Sequence, residues 1–192
     1  TLNAYLKEQI HALKVADPEG LERSNVRRIG AWHSQNNLNC LPEFANFTTK
    51  VTAAVQNYFD QLGYNPDWAA VCSDMWANVS SRYAYHRSHH HGDSLCSGVY
   101  YVQSNASSGR INFVAPREQA VIQPYYTEEA LREKNHTWSK VHFEPISGRL
   151  ILFPGWLRHD VDPNMSDAEG DAGNRISISF NFYQKRKVNN RQ

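Results

Sequence analysis

The sequence predicts an α+β domain with a β-sandwich or jelly-roll core. Two stretches of helical periodicity come first, and roughly eight short runs of strand periodicity follow them. Turn residues separate most of those runs, the pattern of a layered β-rich domain.

Leu2, Leu6, Ile10 and Leu13 recur at helical spacing, and Asp17-Pro18-Glu19-Gly20 stops the run. A polar loop is expected next, holding Asn25, Gly30, Trp32 and Asn36-Asn37. A second helix is expected from near Pro42. Phe44, Phe47, Val51, Ala54, Val55, Tyr58, Phe59 and Leu62 form its apolar stripe, and Gly63 ends it. From Trp68 onward the period falls to two: Val71, Met75, Ala77 and Val79 alternate with Cys72, Asp74, Trp76 and Asn78. Further extended runs read as 83–91, 97–103, 110–115, 119–124, 138–144, 149–153, 157–162 and 174–184, and Thr127 to Leu131 reads as a short capped helix. The acidic, glycine-containing loop 163–173 is the segment expected to be most mobile. With no internal repeat or linker, residues 1–192 are expected to form a single domain.

Twenty basic and nineteen acidic residues give a net charge of +1, which favours neither nucleic acid nor an anionic membrane as a partner. No apolar run is long enough to span a bilayer, and no signal peptide is visible. The chain opens at Thr1 without a methionine, which leaves room for a leader or a first strand ahead of it. Cys40, Cys72 and Cys96 are odd in number and widely spaced. They form neither a zinc pattern nor a disulfide framework, and reduced thiols in a cytoplasmic setting are expected.

The chemistry concentrates in His89-His90-His91 and in His159. On an extended strand His89 and His91 point to one face, and a third imidazole from a distant strand can close one side of a metal ion. That is a ligand geometry suited to a mononuclear iron oxygenase, although zinc accepts the same imidazoles. His91-Gly92-Asp93 offers a second set, with Asp93 and His159 completing a two-histidine, one-carboxylate triad. Both sets share His91 and His159, and spacing leaves His89 and Asp93 as alternatives.

From Arg175 to Phe182 the alternation is unbroken. Ile176, Ile178, Phe180 and Phe182 line one face, and Arg175, Ser177, Ser179 and Asn181 the other. Inside a barrel that polar face becomes a ligand wall. The fork of Arg175 suits a carboxylate, and the Ser177 hydroxyl adds a donor from the same side.

These residues resemble the 2-oxoglutarate and Fe(II)-dependent oxygenases, most closely a small branch reported mainly in marine bacteria and their phages. The likeness runs through Gly30-Ala31-Trp32-His33-Ser34, Trp76-Ala77-Asn78, Tyr85, His89 with His91, and Ser97 through Val102. It continues in Gly148-Arg149-Leu150, Phe153-Pro154, Trp156-Leu157-Arg158-His159 and Arg175 through Asn181. It implies a double-stranded β-helix with the N-terminal helices packed on the major sheet. It also implies His89, His91 and His159 as metal ligands, since the position of Asp93 looks variable in that branch. Arg175 would grip the distal carboxylate of 2-oxoglutarate with help from Ser177, while Tyr85, Asn78, Tyr101 and Asn181 are further candidates for the cofactor pocket. Many superfamily members carry a carboxylate where His91 falls, so three histidines are a departure. Tyr83 replaces glycine, His86 asparagine, Gly92 proline and Gly155 serine relative to the branch.

The expected function is therefore a hydroxylase using Fe(II), 2-oxoglutarate and O2 on a small-molecule or peptidyl substrate. Trp76, Tyr83, Tyr100 and Trp156 are candidate pocket walls. Two alternatives share the ligands: a cupin-like three-histidine dioxygenase or isomerase that needs no 2-oxoglutarate, and a non-catalytic jelly-roll module with a structural metal. Neither the substrate nor the oligomeric state is written in these motifs.

Overall fold

The computed structural model describes residues 1–116, 127–128 and 139–187. Two helices, α1 (Leu2–Ala16) and α2 (Ala45–Gln61), precede most of the strands. The strands are β1 (Ala31–His33), β2 (Trp68–Ser80), β3 (His86–His89), β4 (Cys96–Gln103), β5 (Ile111–Val114), β6 (Lys140–Phe143), β7 (Leu150–Pro154), β8 (His159–Val161) and β9 (Arg175–Arg186). They form a five-stranded sheet in the order β1-β2-β9-β4-β7 and a four-stranded sheet in the order β3-β8-β5-β6, with antiparallel neighbours throughout. The result is an α+β fold with N-terminal helices packed on an antiparallel core of the jelly-roll type, as the sequence predicts.

Period decides which residues meet. The helical stripes bury Leu6, Ile10, Phe47, Val51, Val55 and Phe59 against Met75, Ala77 and Val79 of β2 and Ile176, Ile178, Phe180 and Phe182 of β9. Each of the larger side chains contributes roughly 1.5–3 kcal/mol of transfer free energy. Because strand side chains alternate, the remaining residues of β2 and β9 face the smaller sheet. The register sets Arg175 opposite Ser80, Ser177 opposite Asn78, Ser179 opposite Trp76 and Asn181 opposite Asp74. Between the sheets lies a smaller apolar cluster of Val99, Tyr101, Ile111, Phe113 and Phe153. The rest of the inner space is lined by polar groups.

Three local expectations change. Ala31–His33, read as loop, is an edge strand paired with β2 through Ala31–Ser80 and His33–Asn78; three residues are too few to show a period. The loop 163–173 is anchored rather than loose. Buried Asn164 donates to Ser80 O (3.0 Å) and Gly173 O (2.8 Å), and its Oδ1 accepts from Ser166 N (3.1 Å). Tyr83, a candidate pocket wall, is 52% exposed with φ +68°, beside the Arg82 guanidinium. The run 119–124 and most of the helix read at Thr127 to Leu131 lie outside the described residues. All three cysteines are free thiols, and burial pushes Cys72 and Cys96 up to about 12. Among the described residues no helix is long and apolar enough to cross a membrane.

Candidate metal centre and its two cavities

The sequence-predicted histidines converge, though not by simple strand alternation. His89 ends β3 and pairs directly with His159 of β8, so their rings lie 4.2 Å apart between centroids. His91 lies beyond the strand end and turns back toward the pair, 5.2 Å from the His89 ring and 5.3 Å from that of His159. Its amide donates to Gly155 O at 2.8 Å, which fixes the turn. A Cβ on Gly155 would sit 2.2 Å from Ser94 O and 2.8 Å from His91 O, so the close approach needs a residue without one. One ligand atom from each of the three imidazoles lies within 4.8 Å of the others. Asp93 is exposed and outside this group, so the carboxylate-containing triad does not assemble.

Second partners orient the rings. His89 Nδ1 lies 2.7 Å from Arg87 O and His159 Nδ1 lies 2.9 Å from Leu157 O. A backbone carbonyl can only accept, so each Nδ1 carries the proton and each Nε2 keeps its lone pair for the interior. Phe153 (4.8 Å) and Phe113 (6.0 Å) pack on the His159 ring. Burial, with the neighbouring imidazoles adding to it, holds His91 at about 3 and His159 at about 4; burial also lowers His89. All three are neutral at pH 7, the form that ligates a metal.

A narrow inner cavity runs from these histidines to Arg175, lined also by Asn78, Tyr101, Ser177, Ser179, Ser24 and His86. Arg175 is 2% exposed. Its Nη1 donates to the carbonyls of Ser108, Gly109 (3.5 Å) and Asp162 (3.1 Å). A Cβ on Gly109 would fall 2.8 Å from that Nη1, so glycine is what lets the guanidinium reach the turn. Burial pulls Arg175 down to about 10, which leaves it charged at neutral pH. Among the described residues its Nη2 is buried with no partner, as is Asn78 Oδ1. A buried cationic donor of this kind is costly unless something accepts from it.

A wider outer chamber of ≈ 480 Å³ shares Ser24, Trp76, His89 and His91 with the inner cavity. Arg23, His33, Asn36, Asp74, Arg87, Ser88 and Asn181 complete its wall. The Trp76 ring lies 5.8 Å from that of His91 and stacks on that of His33 at 5.5 Å, 8° from parallel.

Of the candidates for the cofactor pocket, Arg175, Ser177, Asn78 and Tyr101 line the inner cavity and Asn181 the outer one, while Tyr85 lines neither. Of the four candidate walls only Trp76 faces the site. Tyr100 turns to the helices, with its hydroxyl on Asn3 Oδ1 (2.5 Å) and its ring 5.2 Å from Phe47, and Trp156 is 57% exposed. Ser179 lines the inner cavity as its place on the polar face of β9 implies, and Asp74 of the outer chamber is legible only from the alternation of β2. His86, Arg23 and Ser24 had no periodic signal. They meet because the loop before β1 bridges to β3, through Asn25–His86 and Arg87 N to Ser24 O at 2.8 Å.

A jelly roll that gathers three inward imidazoles and a buried arginine in one cavity presents a donor set suited to a non-haem metal ion. The chain belongs to the family described as "Putative 2OG-Fe(II) oxygenase", whose model matches residues 74–181, more than half of its length. No curated protein matches it. Among solved structures it is similar to a Pseudomonas putida prolyl-4-hydroxylase, with 14% identity, TM-score 0.57, and 96% of this chain and 86% of that one covered. It is also similar to a Burkholderia pseudomallei oxidoreductase of the 2OG-Fe(II) oxygenase family (15%, 0.52), where 79% of this chain spans only 61% of the other. A third similar structure is HygX from Streptomyces hygroscopicus with nickel and 2-oxoglutarate bound (14%, 0.53, covering 94% and 77%). At these identities the likeness is one of fold. The histidine cluster differs from a two-histidine, one-carboxylate triad.

Proposed function

We propose that the protein, read as one domain over residues 1–192, is an Fe(II)-dependent oxygenase that uses 2-oxoglutarate as cosubstrate and hydroxylates a small molecule. The unpartnered Nη2 of Arg175, buried in the same cavity as His89, His91 and His159, carries this reading. Three neutral imidazoles would hold the metal on one side and leave the other open. Arg175 would take the far carboxylate of the cosubstrate through Nη2, its Nη1 remaining on the turn carbonyls, with the Ser177 hydroxyl beside it. When bound, iron and 2-oxoglutarate supply the oxidation: O2 yields one oxygen atom to succinate and one to the substrate C–H bond, with release of CO2. The protein's part is to orient the two reactants and keep water out, which Phe113 and Phe153 assist by covering His159.

Among the described residues no carboxylate joins the cluster, which favours a second reading, a three-histidine dioxygenase or isomerase without cosubstrate. A structural metal would call for a fourth protein ligand, and among the described residues no fourth His, Cys, Asp or Glu joins the group. Anaerobic titration with Fe(II) and then 2-oxoglutarate separates the first two. Direct chelation gives a visible charge-transfer band, and turnover gives succinate. Activity with no band and no succinate would transfer the assignment to the second reading.

A further inference from the structure

The outer chamber contains charges of both signs that do not meet. Asp74 stands half-buried on β2, just past the register shift between Cys72 and Asp74. Among the described residues its carboxylate has no hydrogen-bond or ion-pair partner. Arg23, on the loop opposite, lies near enough to His33 to disfavour a charge there, yet it too makes no ion pair among the described residues. The other cation, Arg87, is already set against Glu22 at 3.5 Å. Opposite charges lining one cavity without closing on each other leave a gap for a molecule that has both. A pure anion would meet Asp74, and a pure cation would meet Arg23 and Arg87. The indole of Trp76 is an apolar part of the same wall, 5.8 Å from the ring of His91.

We propose that this chamber is the primary-substrate site and that it takes a small zwitterion, an ammonium and a carboxylate on one compact skeleton, as in a free α-amino acid. Asp74 receives the ammonium, Arg23 receives the carboxylate, and the carbon skeleton lies over Trp76 with its C–H bonds toward the histidines. The chamber volume of ≈ 480 Å³ suits a single small ligand rather than a length of polypeptide. Asn36, Ser88 and Asn181 supply neutral hydrogen-bonding groups around it, which tune the choice among such molecules. The proposal deepens the oxygenase reading and rests on it for the identity of the reaction, but not for binding.

The test is therefore a binding measurement. Saturation-transfer NMR on the iron-free protein is run with each common L-amino acid, its N-acetyl derivative and its methyl ester. At least one free amino acid should bind, and both of its blocked forms should bind roughly tenfold more weakly, as should the free form to Asp74→Asn and to Arg23→Gln. Equal binding of the blocked forms would overturn the proposal and point to a peptidyl substrate. So would unchanged affinity in both variants, or binding of no free amino acid by protein with a native circular-dichroism spectrum. If one variant fails to fold, the blocked ligands on the unaltered protein still decide. The visible band from Fe(II) and 2-oxoglutarate without any amino acid, measured anaerobically in parallel, reports on the cosubstrate reading alone. Its absence would sink that reading and leave the binding result standing.

Discussion

Replacing Arg175 by lysine isolates the guanidinium nitrogen Nη2, which is buried without a partner among the described residues. In the native chain Nη1 is committed to the carbonyls of Ser108, Gly109 and Asp162, and Nη2 is buried and unmatched. A lysine ammonium can keep the charge and serve the carbonyls, but it cannot also present a second, rigidly held donor. A hydrogen bond between charged groups contributes about 1.5–3 kcal/mol. The dissociation constant for 2-oxoglutarate should therefore rise about 10- to 150-fold in Arg175→Lys. Arg175→Ala should do at least as much and also strip three carbonyls of their donor. At about 1–1.5 kcal/mol for each carbonyl, a loss of about 3–5 kcal/mol is expected, and a fall in Tm of roughly 10 °C. Anaerobic titration of the visible band gives the affinity, and calorimetry gives the stability. A lysine variant that binds 2-oxoglutarate as tightly as the native protein would refute the assignment of Nη2. An alanine variant of unchanged Tm would refute the account of Nη1.

His159→Ala should abolish iron binding, because it removes the ligand that pairs with His89 across the strands; metal content after dialysis checks this. The iron-free protein should lose stability as pH falls from about 6.5 toward 4. His33, lowered by burial to about 4, stays neutral in the fold while the unfolded chain takes up protons, so stability rises with pH across that window. His33 alone accounts for roughly 3 kcal/mol, readable as a pH-dependent urea midpoint, and a flat profile would contradict it. Asn164→Ala should cost about 2–4 kcal/mol by leaving the Ser80 and Gly173 carbonyls and the Ser166 amide unmatched, seen as a lower Tm.

Periodicity made the framework legible. The 3.6-residue stripe of α2 and the two-residue alternation of β2 and β9 are written in side-chain order, so the helix-facing core and the inward polar row from Arg175 to Asn181 could be read directly. The histidine triplet was legible for its chemistry, but the reason for its convergence was not. The sequence suggested a strand with His89 and His91 on one face, whereas His91 lies beyond the strand end and is turned inward by the carbonyl of Gly155.

The sequence by itself determined the layered fold, a histidine-rich strand end and a polar row headed by Arg175, because each follows from local period or from residue chemistry. Only the tertiary structure excluded Asp93, sent Tyr100 to the helices and left Tyr83 and Trp156 outside. It alone brought Arg23, His33 and Asp74 around one chamber. Those placements depend on pairing between distant strands and on a loop crossing to β3. Such contacts are fixed by the energy of the assembled sheets, not by the order of neighbours along the chain.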